Sequence, residues 1–140
     1  MQTVKCLNIL IVDDDDDDAY LIKDTLQQIS DVNFEVDVAP TWDVGLSKLT
    51  SAKFDVVLCD FRLGRRTGID FLEMLRKEGI EVPLILLTGV ANRSVDQAAL
   101  EAGAADFLAK DELTAKSLDR TIRYAIANHS RWQLLHSVVN

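Results

Sequence analysis

Short apolar runs and helix-like patterns alternate five times along this chain of 140 residues. The first strand is expected over about 7–13, and the third and fourth over 55–59 and 83–87. These three are nearly continuous apolar runs, the pattern of strands covered by helices on both faces. The second, over 34–39, instead alternates Phe34, Val36 and Val38 with Glu35 and Asp37. That period of two suits a strand at a sheet edge with one face partly wet. A fifth run occupies 106–109.

Helical patterns follow at about 17–29, 42–51, 68–78, 94–102 and 112–137. Tyr20, Leu21, Leu26 and Ile29 are the apolar positions of the first. Ser94 with Gln97, and Thr67 with Asp70, read as capping boxes. Asp111 is a candidate cap for the last helix. Gly79 and Gly103 stop two others. Five strand–helix units predict an α/β fold, a doubly wound five-stranded parallel sheet in flavodoxin-like order 2-1-3-4-5. Its switch point lies between the first and third strands.

The last helix is too long for this frame. It would span roughly 40 Å at ~1.5 Å per residue, more than a small domain is wide. A loose heptad runs through Leu118, Thr121, Ala125, Asn128, Trp132, Leu135 and Val139. Residues 1–127 therefore read as the domain. Residues 128–140 read as an extension of the helix, a linker or a homodimer seam.

Composition narrows the classes. Hydrophobic content of 48% and charged content of 27% are ordinary for a globular domain. The net charge of −8 argues against non-specific nucleic-acid binding. No apolar stretch suits a membrane helix, and no signal peptide is visible, so a cytoplasmic location is expected. Cys6 and Cys59 have no CxxC partner or Cys/His cluster, and both read as small buried hydrophobes in strands.

The chemistry sits where the runs end. Asp13 and Asp14 close the first, Asp60 the third, Thr88 the fourth and Lys110 the fifth. In a parallel sheet these positions share the carboxyl edge, where open α/β sheets bind ligands. Two carboxylates ~5 Å apart repel by roughly 3 kcal/mol at an effective dielectric of ~20. A cluster of Asp13, Asp14 and Asp60 therefore calls for a cation, and magnesium suits oxygen ligands. Asp60 is also a candidate nucleophile toward a phosphoryl group, with Thr88 and Lys110 to bond the transferred oxygens. Asp16, Asp17 and Asp18 read as a solvated stretch that also serves the first helix's amino end. A calcium loop does not fit: its sixth position is Asp18 rather than Gly, and it follows a strand.

The chain resembles the receiver domains of two-component response regulators, and the likeness covers residues 7 to about 127. It rests on Ile-Leu-Ile-Val-Asp-Asp at 9–14, Val-Val-Leu-Cys-Asp-Phe-Arg-Leu-Gly at 56–64 and the Thr67-Gly68 turn. Pro-Leu-Ile-Leu-Leu-Thr-Gly at 83–89 and Glu-Ala-Gly-Ala-Ala-Asp-Phe-Leu-Ala-Lys at 101–110 complete it. The strand order above is the family's own, since a chemotaxis receiver is an example of that sheet rule. The resemblance implies that Asp60 accepts phosphate from a histidine kinase or phosphotransfer protein. It implies Mg2+ held by Asp14, Asp60 and the Arg62 backbone carbonyl, with Asp13 acting mostly through water. Thr88 would move toward the phosphoryl group, Lys110 would pair with it, and Phe107 holds the switch aromatic's place. The output would be a downstream domain or protein, with self-phosphorylation and self-dephosphorylation but no separate substrate turnover.

Two departures stand out. The family usually has a cis proline after the lysine, where this chain has Asp111; a non-proline cis bond costs roughly 3 kcal/mol. The stretch 62–67 is also unusually basic, with Arg62, Arg65 and Arg66. Four other readings compete. A dehalogenase-type phosphohydrolase needs an acid where Arg62 stands. A flavin carrier needs a Gly-rich phosphate loop where the aspartates stand. A docking-only adaptor would not need the complete acidic site. A kinase role would rest on His129 and His136, both expected to face solvent without a kinase motif.

Overall fold

The computed structural model describes the backbone of residues 5–89 and 92–139 and side chains through residue 130. Strand β1 (Lys5–Val12) leads to helix α1 (Asp16–Gln27), then β2 (Val32–Ala39) and α2 (Trp42–Ser51). Strand β3 (Val56–Asp60) is followed by a small hairpin, β4 (Arg62–Leu63) and β5 (Arg66–Thr67), then α3 (Gly68–Lys77). Next come β6 (Leu84–Thr88), α4 (Arg93–Glu101), β7 (Asp106–Ala109), a 3-10 turn (Lys110–Glu112) and α5 (Ala115–Val139).

The main sheet is parallel, in the order β2-β1-β3-β6-β7. With the hairpin set aside, this is the expected 2-1-3-4-5. Alternate residues of the central strands feed two cores. Leu10, Val12, Val57, Cys59, Leu84 and Leu86 face Leu49, Phe71, Leu72 and Leu75 of α2 and α3. Ile9, Ile11, Val56, Leu58, Ile85 and Leu87 face Ile22, Leu26, Leu118 and Ile122 of α1 and α5. Burial on both faces is why these strands read as continuous apolar runs. At the edge, β2 turns Phe34, Val36 and Val38 toward the second core and leaves Glu35 and Asp37 exposed.

Several local expectations change. Asn92, not Ser94, caps α4; its side chain accepts from the Ser94 and Val95 amides. Thr114 and Ser117 exchange side-chain-to-amide bonds at the start of α5, while Asp111 lies in the 3-10 turn before it. The Thr67–Asp70 capping box is present, and Gly79 and Gly103 take positive φ. Cys6 is exposed, because β1 overhangs β3: pairing with β3 starts at Ile9, while β2 pairs from Lys5. The hairpin at 62–67 was not legible, since both arms are two residues long.

On α5, Leu118 and Ala125 of the heptad are fully buried against the sheet. His129 does not face solvent freely. It extends the stripe of Ile122 and Ala125 by one turn and is partly buried near Arg76 and Glu81. Burial, then the Arg76 charge, lowers its pKa. The side chains of Trp132, Leu135, His136 and Val139 lie outside the described residues.

Candidate functional site

The strand register brings the markers to one edge. Val12 pairs with Cys59, Asp60 with Leu87 and Thr88 with Ala109, so the residues ending or following these strands are neighbours. The Asp13 amide donates to Ala39 O at 3.1 Å and fixes the chain as it leaves β1. Asp13 and Thr88 are the buried polar residues among those described. Carboxylate oxygens of Asp13, Asp14 and Asp60 all lie within 4.8 Å of one another.

Asp60 is held from three sides. Its neighbour Phe61 donates to Leu87 O at 2.8 Å, and Gly68 donates to Phe61 O at 2.7 Å. Gly68 is demanded by closeness: a Cβ there would lie 2.6 Å from Asp60 O and 2.5 Å from Leu86 Cδ1. The Arg62 amide lies close enough to favour the charged Asp60 carboxylate. Burial and the Asp13 charge raise the Asp60 carboxyl to about 6, against the opposing pull of Lys110 and the Arg62 amide.

Lys110 Nζ bonds Asp18 at 2.8 Å, Asp13 at 2.9 Å and Asp60 at 3.3 Å. Burial works to lower its pKa, but bonds to Asp18 and Asp13 and the Asp60 charge raise it above the ordinary lysine value. The described residues contain no cis peptide bond, and Lys110 reaches Asp60 across a trans link to Asp111.

The aspartate run divides by role. Asp13 and Asp14 join the cluster, and Asp15 caps α1 by accepting from the Asp17 and Asp18 amides. Asp16, Asp17 and Asp18 form the first turn, where carboxylates favour the helix dipole. The solvated reading of Asp18 is corrected by its bond to Lys110, a contact across 92 positions of sequence that no local pattern marks.

The site fits a hard divalent cation by its own donor set. Four carboxylates gather there, Asp13, Asp14, Asp18 and Asp60, and a single ammonium bonds three of them. Asp14 lies outside that ammonium's bonds and instead accepts from the Gly64 amide at 3.3 Å. All donors are oxygens, the preference of magnesium. Phe107 sits in β7, part-buried against the α2–α3–α4 core. Arg62, at the position where a dehalogenase-type phosphohydrolase would need an acid, is an exposed arginine.

The family model described as response regulator receiver domain matches residues 9–123. The chain belongs to that family. This receiver is 30% identical over 132 residues to the transcriptional regulatory protein DltR of Streptococcus agalactiae, covering 91% of this chain and 58% of that protein. It is 34% identical over 106 residues to the cyclic di-GMP phosphodiesterase response regulator RpfG of Xanthomonas campestris, covering 74% and 28%. The receiver thus spans less than two thirds of the length of these relatives. A crystal structure of a response regulator receiver domain protein from Clostridium thermocellum superposes with a TM-score of 0.76 at 30% identity. It covers 92% of this chain and 98% of that one. A CheY-like receiver domain protein from Methanospirillum hungatei gives 0.75 at 28% identity, over 92% and 98%. The fold is that of the receivers. Among the described residues no helix is long and apolar enough to cross a membrane.

Proposed function

We propose that this receiver accepts a phosphoryl group on Asp60 from a histidine kinase or phosphotransfer protein and thereby switches an output domain or partner. The observation that carries the reading is the meeting of three carboxylates within 4.8 Å with Lys110 Nζ 3.3 Å from Asp60. An oxygen of Asp60 attacks phosphorus, and the bond to the donor breaks with its electron pair leaving on the donor. Lys110 is within reach to follow the new charge from the carboxylate to a phosphoryl oxygen. The Thr88 hydroxyl, at the next strand end, is the second donor. Asp13, Asp14, Asp60 and the Arg62 carbonyl are the residues to hold magnesium. When bound, that ion neutralises charge on the phosphoryl oxygens.

Phosphorylation then biases two packings of the surface around α4, β7 and α5, with Thr88 and Phe107 as the moving pieces. Asp60, Thr88 and Lys110 are the catalytic residues of this self-phosphorylation and self-dephosphorylation. No second substrate is turned over, and the setting is the cytoplasm. Residues 1–127 act as the receiver, and 128–140 carry the signal onward as linker or homodimer seam.

Calorimetric titration with beryllofluoride, a phosphoryl mimic, tests the reading. Binding is expected only with magnesium present and to be lost in Asp60→Asn. Equal binding to Asp60→Asn would place the acceptor elsewhere and overturn the proposal.

A further inference from the structure

The basic stretch at 62–67 has a partner that the phosphoryl chemistry leaves unused. Arg66 lays its guanidinium over the Trp42 ring, 4.5 Å from the centroid. Trp42 packs edge-on against Phe71, with centroids 5.2 Å apart and planes at 77°. Phe71 is fully buried in the α2–α3 core. The β5 arm of the hairpin is therefore fastened to an aromatic platform that cannot shift without disturbing the core.

The hairpin's remaining backbone faces the acids. The Gly64 amide donates to Asp14 Oδ2 at 3.3 Å, and the Arg62 amide lies close enough to favour the charged Asp60 carboxylate. The two arms are coupled by only two pairs, Arg62 with Thr67 and Leu63 with Arg66. A two-stranded ribbon this short does not hold its own shape in water. Its anchors are Leu63, buried in the same core, and the stacked Arg66. A groove of about 350 Å³ is lined by Asp14, Trp42, Leu63, Gly64 and Arg66.

We infer that Trp42 and Arg66 are positioning residues for the magnesium site. Together they clamp the hairpin so that its amides orient the Asp14 and Asp60 carboxylates. The inference rests on the magnesium reading of that acidic cluster. An exposed cation–π contact corresponds to about a two- to fivefold change in an equilibrium, which sets the size of the expected effect. The sign separates the clamp from simple electrostatics. Removing a cation beside an acidic site would by itself tighten magnesium binding; losing the clamp loosens it.

The test is calorimetric titration of the whole chain with magnesium alone, for wild type, Arg66→Ala, Trp42→Leu and Trp42→Phe. Amide exchange at Gly64 is followed by NMR. Arg66→Ala and Trp42→Leu are expected to weaken magnesium binding about two- to fivefold and to speed Gly64 exchange. Trp42→Phe, which keeps a ring beneath the guanidinium, is expected to stay near wild type. Arg66 is exposed, so its truncation leaves folding intact should Trp42→Leu fail to fold. Wild type that binds magnesium alongside an Arg66→Ala that binds it equally or more tightly would overturn the clamp alone. Wild type that binds none would overturn the magnesium reading and the clamp with it.

Discussion

Lys110 Nζ lies 2.8 Å from Asp18 Oδ2 and 3.3 Å from Asp60 Oδ1, so the lysine at the proposed phosphoryl site is more closely held by a helix carboxylate than by the proposed acceptor. Of the ammonium's three protons, Asp13 and Asp18 take two in hydrogen bonds, and Asp60 stands at ion-pair distance. A phosphoryl oxygen therefore competes with these carboxylates for the ammonium, and Asp18 adds charge that repels the incoming anion.

Replacing Asp18 by Asn is expected to tighten binding of beryllofluoride with magnesium by about threefold or more. The Asp18 carboxylate is part-exposed, so the cost to stability should stay below about 1 kcal/mol. Calorimetry and thermal melting read both quantities. Weaker mimic binding in Asp18→Asn would mean that Asp18 aims Lys110 rather than restraining it.

Gly68→Ala should harm both fold and site. A methyl group there meets Leu86 Cδ1 at 2.5 Å and Asp60 O at 2.6 Å, and backbone cannot yield as a side-chain tip can. Overpacking of this kind costs roughly 1–3 kcal/mol. Urea unfolding should show that loss, together with weaker magnesium binding. Unchanged stability would mean that the start of α3 has slack beneath Asp60.

Asp106 gives a pH dependence away from the acidic cluster. Burial raises its carboxyl above the ordinary 3.8, despite the Phe107 amide that donates to it. The folded state therefore favours the protonated form. Its contribution to stability is fully present below pH 3.8 and is lost as pH rises through the raised folded value. Asp106→Asn keeps an acceptor for the Phe107 amide without the buried charge. It should be more stable than wild type at neutral pH, and the gain should vanish in acid. A gain that persists unchanged at low pH would rule out the charge as its cause.

The two thiols should separate by reactivity. Cys6 is exposed on the β1 overhang, while Cys59 lies buried directly before Asp60 with its pKa raised chiefly by burial. Native protein should take up one equivalent of a maleimide, at Cys6, and unfolded protein two. Rapid labelling of Cys59 in the native state would show that the floor of the site opens.

What the sequence disclosed follows from what it can encode locally. Asp13, Asp14, Asp60, Thr88 and Lys110 were legible because each closes or follows an apolar run, and parallel strands put such positions on one edge. The second strand's edge position was legible because one wet face imposes alternation. The Asp18–Lys110 bond was not, since it joins the first turn of α1 to the turn after β7. The caps of α4 and α5 were misplaced by two or three residues because cap-competent side chains crowd both starts, and backbone geometry chooses among them. The partial burial of His129 was there to be read: with Ile122 and Ala125 it continues one helical stripe. The stacking of Arg66 on Trp42 needed the fold, because only tertiary packing brings the hairpin to α2.

The central claim, acceptance of a phosphoryl group by Asp60, is tested most directly by intact mass after incubation with acetyl phosphate. Wild type and Asp60→Asn are compared, each with and without magnesium. The account predicts one added phosphoryl group on the wild type, dependent on magnesium and absent from Asp60→Asn. An adduct that survives in Asp60→Asn, or no adduct on the wild type under any of these conditions, would contradict it.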